Sequence, residues 1–180
     1  MSTWLRNYYF TRAAVSAGWV ALTFGVAPSV PQITAPLLVA YPAWDALANL
    51  ADAKHNGGLA RNKSQAFNLA ASAAAAVAVG IALGSGLNAV LGVFGAWAVL
   101  AGLFQLVTGV RRWRIEGAQW AMILSGGQSA LAGAFFIKQA AGADLPDLSA
   151  LAGYASFGAF YFLVSAISLT ISAYRRKNAA

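Results

Sequence analysis

Six apolar stretches, spanning 13–27, 33–53, 65–83, 88–110, 117–137 and 149–173, alternate with short polar connections along this chain of 180 residues. Roughly 20 apolar residues suffice to carry a helix across a hydrocarbon core of about 30 Å. Five of the runs meet that length, and the first must borrow flanking residues to do so. Composition agrees: 59% of residues are hydrophobic and 9% are charged, against about 25% charged in a soluble domain. The reading is an all-α membrane protein of six transmembrane helices, forming a single membrane domain over 1–180.

The connections carry the expected punctuation. Pro28, Pro31 and Pro36 mark a tight turn before the second helix, because proline lacks a donor and is tolerated in a helix's first turn. Pro42 falls inside that helix and predicts a kink. Gly57-Gly58 and Gly84-Ser85-Gly86 signal loops. At the start, Trp4, Tyr8, Tyr9 and Phe10 accompany Arg6 and Arg12. Aromatic and basic residues together suit the membrane–water interface, so an interfacial turn of helix is expected there. A basic start and a short apolar core also fit a cleaved signal peptide. The repeat described below needs this first helix, which favours its retention.

Lysine and arginine set the orientation. Arg6 and Arg12, then Lys54, Arg61 and Lys63, then Arg111, Arg112 and Arg114, then Arg175, Arg176 and Lys177 fall on one face, and Lys138 falls on the other. The positive-inside rule then puts both termini in the cytoplasm. The same distribution accounts for the net charge of +7 without nucleic acid, since the cations form short loop clusters rather than a basic stripe. Arg111, Arg112, Arg114, Arg175, Arg176 and Lys177 are also placed to contact anionic lipid headgroups. With no cysteine in the chain, disulfides and zinc–thiolate sites are excluded.

The even-numbered helices share a pattern. Tyr41-Pro42-Ala43-Trp44 returns as Phe94-Gly95-Ala96-Trp97 and more weakly as Phe157-Gly158-Ala159-Phe160, at offsets of 53 and then 63 residues. The odd-numbered helices carry small residues four apart: Ala17, Ala21 and Gly25; Ser72, Ala76 and Gly80; Ser125, Ser129 and Gly133. That spacing places each set on one helix face, and small residues let backbones approach where lipid supplies no hydrophobic drive. The expected architecture is three tandem helical hairpins, at about 13–53, 65–110 and 117–174. Residual small-residue faces leave room for a homo-oligomer or a membrane-protein partner.

Hairpins bearing F-G-x-W, a small-residue L-x-G face and a basic loop resemble the HdeD-like acid-resistance membrane proteins. The match is best from Gly92 to Gly133, through Gly95, Trp97, Gly102, the Arg111–Arg114 cluster and Trp120. The resemblance implies a non-enzymatic inner-membrane protein tied to acid or envelope stress and acting through packing and partners. It supplies no catalytic residues. Helix two departs from the pattern, with Pro42 in place of Gly95 and Gly158, and Asp45 in place of Ala98 and Tyr161.

Asp45 is the sharpest candidate for function, an acid about 12 Å inside an apolar span at 1.5 Å per residue. Such acids are costly in lipid and face protein or water. Asn49 and Asp52 continue its stripe, and Gln105, Gln128 and Tyr161 are the polar groups expected to complete a seam between helices. Two readings follow. Asp45 hydrogen-bonds Tyr161, Gln105, Asn68 or Gln128 and fixes packing, or it serves a small transporter or proton-responsive conduit, since desolvation raises a carboxyl pKa. No catalytic constellation, metal-ligand set or cofactor motif is expected. His55 is the only histidine and is expected to be solvated. Gly127-Gln128-Ser129-Ala130 lacks the following glycine and the partner histidine of a rhomboid serine site.

Overall fold

The structure, a computed structural model, describes residues 3–114, 119–144 and 148–178; the side chains of Arg112, Arg176 and Lys177 lie outside the described set. The described residues form six long helices and no strand: α1 (Thr3–Gly25), α2 (Thr34–His55), α3 (Lys63–Ala82), α4 (Leu87–Arg112), α5 (Gln119–Ala140) and α6 (Leu148–Asn178). A 3-10 turn at Pro31–Ile33 leads into α2, and another at Leu83–Ser85 joins α3 to α4.

Local chemistry explains the boundaries. Pro31 opens its turn and Pro36 lies in the first turn of α2, where a missing N–H breaks no helical bond. Pro42 is accommodated within α2, which continues past it to His55. Gly57, Gly58 and Gly86 have φ of 94°, 91° and 100°, a region glycine enters without a Cβ penalty. The first pair reverses the chain between α2 and α3, and Gly86 caps the start of α4. At the N-terminus no separate interfacial turn stands apart from the first helix among the described residues. The aromatic segment belongs to one continuous α1 from Thr3, which places Arg12 near the middle of that helix.

Four helices are long and apolar enough to cross a membrane by length and composition: α3 with its following turn, α4, α5 and α6 up to Arg175. The first two helices carry the charges of the interior. Arg12 is on α1 and Asp45 and Asp52 are on α2.

The broadest packing joins α4 to α5, α1 to α6 and α2 to α3, with α3 also against α4. Of these, α2–α3 and α4–α5 link successive expected hairpins, and α1–α6 joins the last hairpin to the first and closes the series into a ring. At the α4–α5 interface the backbones touch. A Cβ on Gly102 would lie 2.5 Å from the Gly126 carbonyl oxygen, and a Cβ on Gly133 would lie 2.5 Å from that of Gly95.

The small-residue ladders divide accordingly. Ser72, Ser129 and Gly133 are buried in helix contacts, and Ser125 and Ala76 are half-buried. Ala17, Ala21 and Gly25 are exposed, and Gly25 and Gly80 have open space where a side chain would stand. In α1 the expected face was therefore misplaced. Its buried residues are Ala13, Ser16, Trp19 and Thr23. Four-residue spacing shows which positions share a face, but not which face meets a neighbour.

Contacts recur at offsets of 56 and 57 residues, three longer than the 53 and six shorter than the 63 read off the aromatic pattern. Trp97 Nε1 donates to Ser72 Oγ at 2.9 Å, the Tyr154 hydroxyl lies 2.7 Å from Ser129 Oγ, and Tyr41 and Ser16, both buried, stand at the matching positions. Leu38, Phe94 and Leu151 follow the same spacing and are all buried. Tyr41, Trp97 and Tyr154 converge, with Tyr41–Trp97 centroids 5.9 Å apart and Trp97–Tyr154 centroids 6.5 Å apart, both edge-on. Edge-to-face pairs of this kind are favoured by the ring quadrupoles. On one side of them Trp19, Val79, Val90, Leu91 and Phe136 complete the apolar core.

Candidate functional site

On the other side of the three aromatics lies an ion pair. Arg12 of α1 donates through Nη2 to Asp45 Oδ1 of α2, and each side chain is 15% exposed. The remaining bonds are equally specific. Asp45 Oδ2 accepts from Ser72 Oγ at 2.7 Å and from Asn49 Nδ2 at 2.9 Å. Arg12 Nη1 donates to the Tyr8 hydroxyl at 3.2 Å, which in turn donates to the Ala48 carbonyl at 3.3 Å. The guanidinium also sits 4.2 Å from the centre of the Phe162 ring, a cation–π distance. Five helices thereby meet at one charge pair, since Trp97 of α4 reaches it through Ser72 and Phe162 belongs to α6.

An isolated charge at this depth is expensive, and a hydrogen-bonded opposite charge offsets the desolvation. Asp45 does not bond Tyr161, Gln105, Asn68 or Gln128, the partners expected for it. Its partners are Arg12, Ser72 and Asn49. Arg12 had been assigned to the interface, because the apolar run begins only after it. Its i, i+4 relation to Tyr8 was the available signal, since that spacing puts both on one face of a longer helix.

Two neighbouring cavities flank the pair. The outer vestibule has a volume of about 400 Å³. Its wall includes Trp4 and Tyr8 of α1, Asn49, Asp52 and Asn56, Gln65 and Asn68 of α3, and Thr108 of α4. These positions place its mouth at the end of the bundle where the arginine and lysine clusters gather. The inner chamber, of about 80 Å³, is walled by Tyr41, Trp97 and Tyr154 together with Ser125, Gln128 and Tyr161. Arg12, Asp45, Ala101, Gln105 and Phe162 belong to both walls. The inner space is large enough for a few waters, each of which needs some 10–15 Å³ by this kind of measure.

All six residues expected to form a polar seam line one of these cavities: Asn49 and Asp52 the outer, Gln128 and Tyr161 the inner, Asp45 and Gln105 both. Arg12, Gln65, Asn68 and Ser125 join them from odd-numbered helices. The 56- and 57-residue offsets explain where the space comes from. Positions equivalent to Asp45 are Ala101 and Gly158, and those equivalent to Arg12 are Asn68 and Ser125. One charged pair thus faces smaller residues at the matching places.

Asp52 accepts from Gln65 Nε2 at 2.8 Å and from Asn56 Nδ2 at 2.7 Å. His55 stacks on Trp4 with centroids 4.0 Å apart, so it is not simply a solvated loop residue. Arg111, Arg114 and Arg175 are exposed, and Arg111 and Arg114 border a shallow depression with Trp113. Arg112, Arg176 and Lys177, also assigned to lipid contact, have side chains outside the described residues. Among the described residues no group of three His, Cys, Asp or Glu could hold a metal ion.

Residues 69–138 match a short repeat of unknown function, DUF308. The matched segment takes in most of α3, all of α4 and most of α5, and it contains Ser72, Trp97, Gly102, Ser129 and Gly133. This repeat family includes the HdeD-like membrane proteins. Arg12 and Asp45 lie outside the match. No curated protein and no solved structure matches the chain.

Proposed function

We propose that this is a non-enzymatic bacterial inner-membrane protein of six crossings, built as three tandem hairpins, with both termini in the cytoplasm. Its working part is a cytoplasm-facing vestibule that ends at the Arg12–Asp45 pair and admits a small polar solute or a proton. The observation that carries this reading is the vestibule itself: a polar cavity leading from the basic end of the bundle to a largely buried ion pair. Ionisable groups within a membrane bundle commonly mark a solute or ion pathway. A small transporter or conduit is therefore favoured over a protein that acts only through packing and partners. In this conformation the route stops at Tyr41, Trp97 and Tyr154, so passage needs those three to separate, as in alternating access.

The repeats are supported by the contacts recurring at 56 and 57 residues. Orientation is supported by lysine and arginine, which also leave the exposed arginines at the level of anionic headgroups. A link to acid or envelope stress rests on the resemblance to HdeD-like proteins, and any homo-oligomer or membrane partner would dock through the outward small-residue face of α1.

Two experiments test the reading. Since the chain has no cysteine, Arg114→Cys and Lys138→Cys each provide one thiol. In intact cells an impermeant reagent should label the second and spare the first; labelling of Arg114→Cys reverses the orientation. In liposomes the parent should carry proton or solute flux, and Asp45→Asn should lower it about tenfold or more, as expected when a charge-assisted bond is removed. Absence of flux in the parent removes the conduit, and equal flux in both removes Asp45 from it.

A further inference from the structure

Taking the vestibule of the proposed function as its basis, we infer that the ligand it accepts is a small organic monocation, an ammonium or guanidinium compound, held at Asp52. The inference starts from charge. Arg12 and Asp45 cancel each other, which leaves Asp52 as the one uncompensated charge of the vestibule wall. Both Asp52 partners are neutral amides, and the single ion pair among the described residues is Arg12–Asp45.

Hydrogen-bond direction points the same way. Asn49 gives its NH2 group to Asp45, while Asn56 and Gln65 give theirs to Asp52. An amide that commits its nitrogen to a carboxylate is left with its oxygen, an acceptor. Arg12 uses both terminal nitrogens on Asp45 and Tyr8. Around Asp52 and Asn49 the amide nitrogens are thus turned to the carboxylates, and the amide oxygens are the groups left to bind. Thr108 adds an independent observation. It is 8% exposed, it lines the vestibule, and its Oγ1 has no partner. A buried hydroxyl is normally bonded.

Size and shape favour an organic cation over a bare metal ion. A space of about 400 Å³ lies in the range of small-molecule sites. Trp4 and Tyr8, stacked at 5.0 Å, form part of its wall and give the organic part of such a cation an apolar surface to cover. The basic rim opposes the entry of a cation. Its influence falls off over a Debye length of about 8 Å at physiological salt, whereas Asp52 and the amide oxygens act at contact.

The test uses the full chain in nanodiscs of zwitterionic lipid, followed by thermal unfolding. Propylammonium chloride is titrated against sodium propionate and propionamide, which have similar size but different charge, and against potassium chloride. Propylammonium should stabilise the parent saturably, and Asp52→Asn should weaken that effect about tenfold or more. Thr108→Val should weaken it less, giving a second variant if Asp52→Asn folds poorly. Equal stabilisation by propionate, propionamide or potassium overturns the inference, as does undiminished propylammonium binding in both variants. Thr108→Cys separates this failure from failure of the vestibule. Reaction with a small neutral methanethiosulfonate, without ammonium binding in the parent, leaves the vestibule standing and removes the ligand class. A thiol that does not react removes both.

Discussion

Gly133→Val should destabilise the chain by about 3 kcal/mol, toward the upper end of overpacking costs. The atoms that a Cβ would meet are the Gly95 carbonyl oxygen at 2.5 Å and the Val99 nitrogen at 2.6 Å. Both belong to the backbone of α4, so no side chain can swing aside and the helices must separate. The loss falls on one of the broadest interfaces in the bundle. Gly80→Val is the matched control, since Gly80 is exposed and has open space around its Cα. Valine has a better helix propensity than glycine by a few tenths of a kcal/mol, so the control should be neutral or slightly stabilising. Denaturation of the purified protein in mixed micelles gives both numbers. Equal stability of the two variants would contradict close backbone packing between α4 and α5.

Asp45→Ala should cost about 3 kcal/mol, the lower end of the range for breaking a buried pair. The lower end applies because the pair borders the vestibule rather than dry core. The variant leaves Arg12 without its counter-charge and Ser72 and Asn49 without their acceptor. A double replacement, Arg12→Met with Asp45→Leu, should recover most of that loss, because removing both charges also removes the desolvation penalty. The same unfolding assay on Arg12→Met and Asp45→Leu alone completes the cycle. If the double variant loses as much as the two single losses added together, Arg12 and Asp45 are not coupled and the central contact of the site is wrong.

The two outcomes differ in how far they were visible beforehand. Gly133 belonged to a ladder of small residues whose spacing is a property of the chain itself. Asp45 was conspicuous as an acid in an apolar run, and its stripe with Asn49 and Asp52 followed from helical periodicity. Asp45's partner was not visible. Arg12 sits 33 residues away in a segment whose aromatic and basic content suited an interface. Only the full length of α1 carries it inward. The small face of α1 was misassigned for a related reason. Ala17, Ala21 and Gly25 share a face as well as Ala13, Ser16 and Thr23 do, and local spacing cannot choose between them.

The repeat shows the same division. Aromatic and small residues returned along the sequence, so periodic helices were legible. Aligning like with like paired Trp44 with Trp97. The contacts pair Tyr41 with Trp97 and Tyr154, because what is preserved is a polar aromatic beside a serine, and tyrosine and tryptophan both supply that donor.

Helical content, apolar runs, basic connections and the polar positions on each helix were determined by the sequence, since they follow from residue type and a fixed period. Which faces meet, which charge neutralises which, and that the polar positions enclose a cavity were decided only in the tertiary structure. Those outcomes depend on contacts between residues distant in the chain, and a helix's own period carries no information about its neighbours.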